Sequence, residues 1–243
     1  MLYLRSALFN ATMGLSLLIY APLSLLTFLL PPLARYRFIT QWSRFHVWLA
    51  WHLCGLHYRV EGRERLPPGP AIIMSKHQST WETLAFQHIF PPVTWVLKRE
   101  LMRVPLFGWA LALLRPIAIE RGTGRRAVEQ VVKQGRERLA AGLWVLVFPE
   151  GTRMPPRTRG RYKMGGAVLA SATGYPVVPV AHNAGSFWRR RGFVKLPGMI
   201  RVVIGPVIES KGRTAEEINA RAGEWIEATM EQLESELEVP SDK

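Results

Sequence analysis

AIIMSKHQSTWE, residues 71–82, passes from an unbroken apolar run into a charged turn and then into the start signals of a helix. Ala71–Ser75 has the length and composition of a buried strand, and Ser79 and Glu82 stand at the Ser-x-x-Glu spacing of a capping box, which predicts a helix over about 79–89. A strand that feeds a helix through so short a turn is the building unit of an α/β sheet. The rhythm continues on both sides. Further strands are expected at Tyr58–Glu61, Thr94–Lys98, Ile117–Glu120, Trp144–Phe148, Val177–Ala181 and Ile200–Ile204, with helices at about 105–114, 123–141 and 161–173 between them. A last helix opens at Thr214, with Glu217 in capping-box position and Ile218, Ala222, Trp225, Ile226, Met230, Leu233 and Leu237 along one face. The expected fold is α/β, a mixed central sheet flanked by helices, over residues 58–243.

Two readings of Glu82 compete. It can simply bond back to the helix start, as a capping box requires. It can also orient His77. Five residues turn a helix by about 500°, which leaves positions 77 and 82 about 140° apart, so the two side chains cannot meet if both are helical. They can meet if His77 lies in the loop leaving the strand and curls over the first turn. A carboxylate bonded to one ring nitrogen fixes the tautomer and leaves the other nitrogen to take a proton from a hydroxyl. The substrate of such a pair would be an alcohol.

WVLVFPEGTR, residues 144–153, is a second strand that ends in chemistry. Gly151 lets backbone approach a ligand closely, Thr152 can donate a hydroxyl, and Arg153 offers a planar fork for a phosphate. The bland reading is an exposed turn with a salt bridge. Arg157, Arg159, Arg161 and Lys163 crowd the next ten positions, and this accumulation of like charge favours an anion site.

Over the whole chain 32 Lys and Arg face 18 Asp and Glu, and the excess is uneven: from Thr214 onward there are nine acids and two bases, so the rest of the chain is strongly cationic. Such a field suits a phosphorylated substrate, an anionic membrane face or nucleic acid. Zinc-finger spacing, an RNP-type aromatic segment and a helix-turn-helix are all missing from the sequence, which argues against nucleic acid. A non-catalytic, membrane-attached basic protein that binds anionic lipid or RNA stays open as the alternative, supported by Arg clusters at 125–126, 157–161 and 189–191. The single cysteine, Cys54, excludes an intramolecular disulfide framework.

Between Arg5 and Arg35 lie 29 residues without a charge, enough to cross a bilayer, which needs roughly 20. The run is too long for the core of a signal peptide and no small-x-small cleavage site follows it. A spanning helix, a core helix and a hairpin bent at Pro22 that dips into one leaflet remain. Arg35, Arg37 and Arg44 follow the run against Arg5 alone before it, which places the body of the protein in the cytoplasm. Next, Trp42, Phe45, Trp48, Leu49, His52, Leu53 and Leu56 recur at helical spacing, the pattern of a helix lying in the headgroup layer or packed on the protein core. His52, Cys54 and His57 fall on different faces of that helix and cannot converge on a metal. Residues 1–57 therefore form an N-terminal membrane-associated helical segment in this reading.

Taken in order, these motifs resemble the glycerolipid acyltransferase family, which includes 1-acyl-glycerol-3-phosphate acyltransferases. The family's His-x-x-x-x-Asp is matched by His77 and Glu82, with Glu in place of the usual Asp. A second block resembles KRELMRVPLFGWALALLRPIAIER, through Lys98, Pro105, Gly108 and Arg121; its closing segment is Ile119-Glu120-Arg121, and Arg115 stands where a small residue is more usual. Phe148-Pro149-Glu150-Gly151-Thr152-Arg153 matches the third motif residue for residue, Tyr162–Gly166 resembles the segment that follows it, and Val177–Val180 resembles the fourth motif.

The resemblance implies transfer of a fatty acyl group from acyl-CoA or acyl carrier protein to the free hydroxyl of a lysophospholipid such as lysophosphatidate, or of another lysolipid such as a lyso-aminolipid, with no metal or organic cofactor. On that resemblance His77 is the general base and Glu82 orients it. Arg153, Arg121 and Lys98 hold the acceptor phosphate, and Glu150, Gly151 and Thr152 belong to the same pocket. Amides at the helix start after His77 are expected to stabilise the oxyanion. Membrane lipids are the expected partners, with the N-terminal segment holding the site at the bilayer surface.

Overall fold

The computed structural model describes residues 1–120 and 122–237. Among them, seven strands form one sheet: β1 (Leu56–Glu61), β2 (Ile72–Ser75), β3 (Val93–Lys98), β4 (Ile117–Ile119), β5 (Trp144–Val147), β6 (Val177–His182) and β7 (Gly198–Ile204), in the order β1-β7-β6-β2-β5-β3-β4. All neighbours pair in parallel except β6 and β7, so the sheet is mixed. Every residue of β2, β5 and β6 is buried. These central strands are covered on both faces, which is why they read as continuous apolar runs rather than alternating ones.

Successive side chains of those strands enter two cores. Ile73, Leu146 and Val178 join the core under α2 (Pro32–Cys54) and α3 (Trp81–Ile89). Ile72, Met74, Val145 and Val177 join the core under α5 (Arg125–Ala140), α6 (Gly165–Thr173) and α8 (Ala215–Ser235). Two short helices, α4 (Phe107–Ala112) and α7 (Ala184–Phe187), complete the layers. The capping box at Thr214 and Glu217 forms with both of its hydrogen bonds. α6 starts later than the pattern suggests, because residues 160–163 are bonded to the preceding loop instead: Gly160 N donates to Glu150 Oε1 at 3.2 Å and Lys163 N to the Pro149 carbonyl at 2.8 Å.

The N-terminal run forms α1 (Leu2–Leu25), a short 3₁₀ turn, and then α2, as an antiparallel pair. The chain does not reverse at Pro22, which sits inside α1; it reverses at Leu30, held extended ahead of Pro31 and Pro32, where proline excludes the helical region for the preceding residue. α2 packs on the domain with one face and leaves aromatic side chains exposed on another. Tyr36, Thr40, Ser43, Val47, Ala50 and Cys54 are buried against the domain, while Phe38, Phe45 and Trp48 are exposed.

Polar groups on one side of α1 are bonded along its length. Ser6 Oγ accepts from Lys195 N at 3.0 Å, Asn10 donates to the Phe193 carbonyl at 3.1 Å, Ser16 Oγ accepts from Trp42 Nε1 at 3.0 Å, and Tyr20 donates to the Phe38 carbonyl at 2.6 Å. Leu4, Leu8, Leu15, Leu18, Ile19 and Leu23 remain exposed on it. Residues Leu2–Leu29 are long and apolar enough to cross a membrane.

Candidate active site

β2 and β5 are parallel neighbours with Met74 opposite Val147, so the segments that leave them, 76–80 and 148–153, emerge side by side at the carboxyl end of the sheet. That is where α/β sheets bind ligands. The two segments are stitched together through His77: its N–H donates to Glu150 Oε2 at 3.2 Å, and its carbonyl accepts from Met154 N at 2.7 Å. The ring lies flat on Phe148, with centroids 3.9 Å apart and planes 12° apart. Backbone and ring are thereby both fixed before any ligand arrives.

Glu82 performs both roles that its position in the sequence allows. Its Oε1 lies 2.9 Å from His77 Nδ1, and it also accepts from the amides of Gln78 at 2.9 Å and Ser79 at 2.8 Å. Its side chain is fully buried, and burial alone would raise its carboxyl; the bond from His77 and the Ser79 amide hold it below the ordinary glutamate value instead. Nδ1 of His77 is thus engaged by a carboxylate, which leaves Nε2 as the nitrogen available to a ligand. The same bonds correct one expectation. The amides of His77, Gln78 and Ser79 already have carboxylate acceptors and Trp81 N donates to Ser79 Oγ at 3.1 Å, so this helix start does not present them to an oxyanion.

His77 lines a cavity of about 820 Å³. Phe148, Gly151, Arg153, Arg161 and Lys163 share its polar end, and side chains from α1, α2, α3, β3, α4 and α5, among them Leu17, Trp42, Leu84, Trp95, Leu111 and Val128, make the remainder apolar. Gly151 adopts φ +67°, a conformation that strains any residue with a Cβ, and a Cβ there would also displace the tip of Lys163, 2.6 Å away, so the turn that brings Arg153 to the cavity favours glycine. Burial lowers the Arg153 guanidinium; Glu82 opposes that and Arg190 adds to it. The Arg153 carbonyl accepts from Arg190 at 3.0 Å.

Not every residue expected at the site reaches it. Lys98 and Thr152 are exposed and do not line the cavity. Glu150 lies behind the cavity wall, paired with Lys76 at 2.8 Å. Arg121 lies outside the described residues. In turn, the sequence reading passed over Lys76, whose side chain is 1% exposed and pairs with both Glu150 and Glu227. It also missed His182, buried at the end of β6 with Nε2 2.9 Å from the Lys76 carbonyl. Since the Ala184 amide donates to Nδ1, His182 is the neutral tautomer that carries its proton on Nε2, in keeping with the lowering of its proton affinity by burial. The signal for Lys76 was present: a lysine directly after a fully apolar strand must be either exposed or paired. Among the described residues no three His, Cys, Asp or Glu side chains converge as a metal site.

Residues 57–183 match the acyltransferase family model. The chain is also 47% identical over 235 residues to a Pseudomonas aeruginosa protein named 1-acyl-sn-glycerol-3-phosphate acyltransferase, over 95% of this chain and 91% of that one. The chain belongs to the acyltransferase family. A Saccharomyces cerevisiae protein of the same name is 31% identical over 187 residues, 74% of this chain and 60% of that one. The crystal structure of the 1-acyl-sn-glycerophosphate acyltransferase PlsC from Thermotoga maritima has the same fold, with a TM-score of 0.79 at 20% identity over 96% of each chain. In this acyltransferase the matched family segment runs from β1 to just past β6, so the α1–α2 pair and α8 lie outside it.

Proposed function

We propose that this acyltransferase moves a fatty acyl group from a thioester to the free hydroxyl of 1-acyl-glycerol-3-phosphate, forming phosphatidate. The observation that carries the proposal is the His77 ring, bonded through Nδ1 to buried Glu82 at 2.9 Å, lining one cavity together with Arg153 and a long apolar wall. A base, a cation and an apolar chamber are the three things that a phosphorylated, acylated alcohol requires. The names of the relatives support this acceptor.

His77 Nε2 takes the proton of the acceptor hydroxyl while its oxygen attacks the thioester carbonyl carbon. Collapse of the adduct breaks the C–S bond, and the proton passes from the imidazolium to the departing thiolate, so that atoms and charge balance without a further reactant. Glu82 holds the tautomer and stabilises the imidazolium as it forms. Arg153, with Arg161 and Lys163 nearby on the cavity wall, takes the acceptor phosphate. The apolar part of the cavity takes an acyl chain. The donor is acyl-CoA or acyl carrier protein.

The exposed apolar side chains of the α1–α2 pair support a membrane as the setting for this chemistry. α1 is bonded to the rest of the protein from Ser6 to Tyr20, so crossing a bilayer would drag the polar domain with it; its exposed leucines instead enter one leaflet from the side. The basic residues Arg35, Arg37 and Arg44 that follow α1 support an anionic, cytoplasmic leaflet as the one it enters. The test is a panel of lysolipid acceptors offered to membranes that contain wild type or His77→Ala, with products identified by mass. Phosphatidate from the wild type alone is the expected result. Product from a different acceptor only, or equal product from both proteins, would overturn the assignment.

A further inference from the structure

Behind the cavity wall lies a buried charge network that the chemistry above does not use. Lys76 Nζ sits 2.8 Å from Glu150 Oε1, 2.9 Å from Glu227 Oε1 and 2.9 Å from the Thr158 carbonyl. The Tyr162 hydroxyl donates to the same oxygen of Glu227 at 2.8 Å, and burial, followed by the Glu227 carboxylate, pushes the phenol far up, so Tyr162 acts only as a donor. Glu150 passes the network on to the site, because its other oxygen accepts the backbone N–H of His77. Glu227 belongs to α8, 151 residues from Lys76 and beyond the segment that defines the family. The same face of α8, two turns on, carries Glu234, whose Oε1 accepts from Arg157 N at 2.7 Å and from Gln78 Nε2 at 3.4 Å. Arg157 is held there at φ +59°, a conformation that a non-glycine residue keeps only when its surroundings impose it.

We propose that Glu227 on α8 and Lys76 are positioning residues for the reaction: through Glu150 they set the backbone, and with it the imidazole, of His77. The proposal rests on the acyl-transfer reading. It gives a function to the acid-rich end of the chain, which is otherwise a packing helix. An ammonium 1% exposed between one fully buried carboxylate and one 12% exposed is costly to keep, and hydrophobic residues of similar volume would serve packing alone as well or better. A network that leads from α8 to the N–H of His77 is explained when its product is geometry, since a displacement of about 1 Å in a reacting group costs about 10²-fold in rate.

Glu227→Gln keeps an oxygen for Lys76 and Tyr162 but removes the charge, and Glu227→Leu removes both. The expected result is a fall in kcat of about tenfold for Gln and about 10²-fold for Leu, with the acceptor KM within about twofold of wild type. Repeated in the His77→Ala background, neither substitution lowers the residual rate further, because a residue that acts only through the imidazole then has nothing to act on. Tyr162→Phe, which deletes one hydroxyl and leaves every charge in place, is the milder probe and shows the same lack of additivity. Unchanged kcat, a loss confined to KM, or equal fold losses with and without His77 would overturn the proposal. Wild-type turnover in His77→Ala itself would instead overturn the acyl-transfer reading, so the two failures are distinct.

Discussion

At the His77 end of the cavity the imidazole, its backbone and the carboxylates beside it are set by hydrogen bonds and ion pairs, whereas at the end enclosed by α1, α2 and α4 the walls are mostly apolar side chains. The first arrangement is intolerant. Its groups must be held to fractions of an ångström for proton transfer, and the fully buried carboxylate of Glu82 leaves no slack. The second selects by volume and can re-pack. The contrast teaches that one continuous cavity combines a rigid polar end with an adaptable apolar one, and that substitutions at the two ends should fail in different ways.

The largest effect belongs to the rigid end. His77→Ala should cost about 10²–10⁴ in kcat, with unfolding by heat unaltered; retention of more than a tenth of wild-type turnover would break the contrast at its root. Arg153→Ala comes next, raising the acceptor KM by about tenfold to a hundredfold through loss of charge-assisted bonds to phosphate, while kcat at saturation changes little. If saturation were unmoved and only kcat fell, the guanidinium would not be the phosphate ligand.

The apolar end should respond by chain length instead. Ala110 on α4 is buried and lines the cavity, so Ala110→Phe shortens the space available. It should lower turnover of long-chain donors by about tenfold and leave short-chain donors near wild type, the scale on which apolar pockets discriminate by size. A uniform loss for all donors would mean that this wall does not hold the acyl chain.

The smallest effect is on stability. Glu82 has its carboxyl held below the ordinary glutamate value of 4.5, so its ionisation stabilises the fold above that value and the contribution is lost as pH falls through the folded value. Glu82→Gln should therefore lower the urea midpoint at neutral pH, by an equivalent of about 1–3 kcal/mol, and the gap to wild type should narrow in acid. A gap that is independent of pH would show that the charge of Glu82 contributes nothing to the fold.

Local pattern made the architecture legible. All seven strands fall where apolar runs predict them, because β2, β5 and β6 are too apolar and too short to be anything else. Their order is not local, and the adjacency of β2 to β5, which brings His77 to Arg153, could be reached only through the family resemblance. At the site, spacing left Glu82 open between a helix cap and a partner for His77, and the family resemblance decided for the pair, because whether the two meet depends on how the loop before the helix curls. The ion pair from Lys76 to Glu227 spans 151 positions, and no periodicity reports a contact of that range. Glu150 shows the same limit: its motif marks it as part of the site, but only the fold reveals that it holds backbone and a buried lysine rather than facing the cavity.

Everything proposed for the site turns on direct transfer from thioester to hydroxyl, assisted by His77. The most direct measurement is a rapid-quench single turnover with radiolabelled acyl thioester, with thiol and labelled lipid counted together. Direct transfer predicts no thiol without 1-acyl-glycerol-3-phosphate, one labelled phosphatidate for each thiol once it is added, and neither at a comparable rate in His77→Ala. A burst of thiol before acceptor is present, with the label left on the protein or released as free fatty acid, would contradict it.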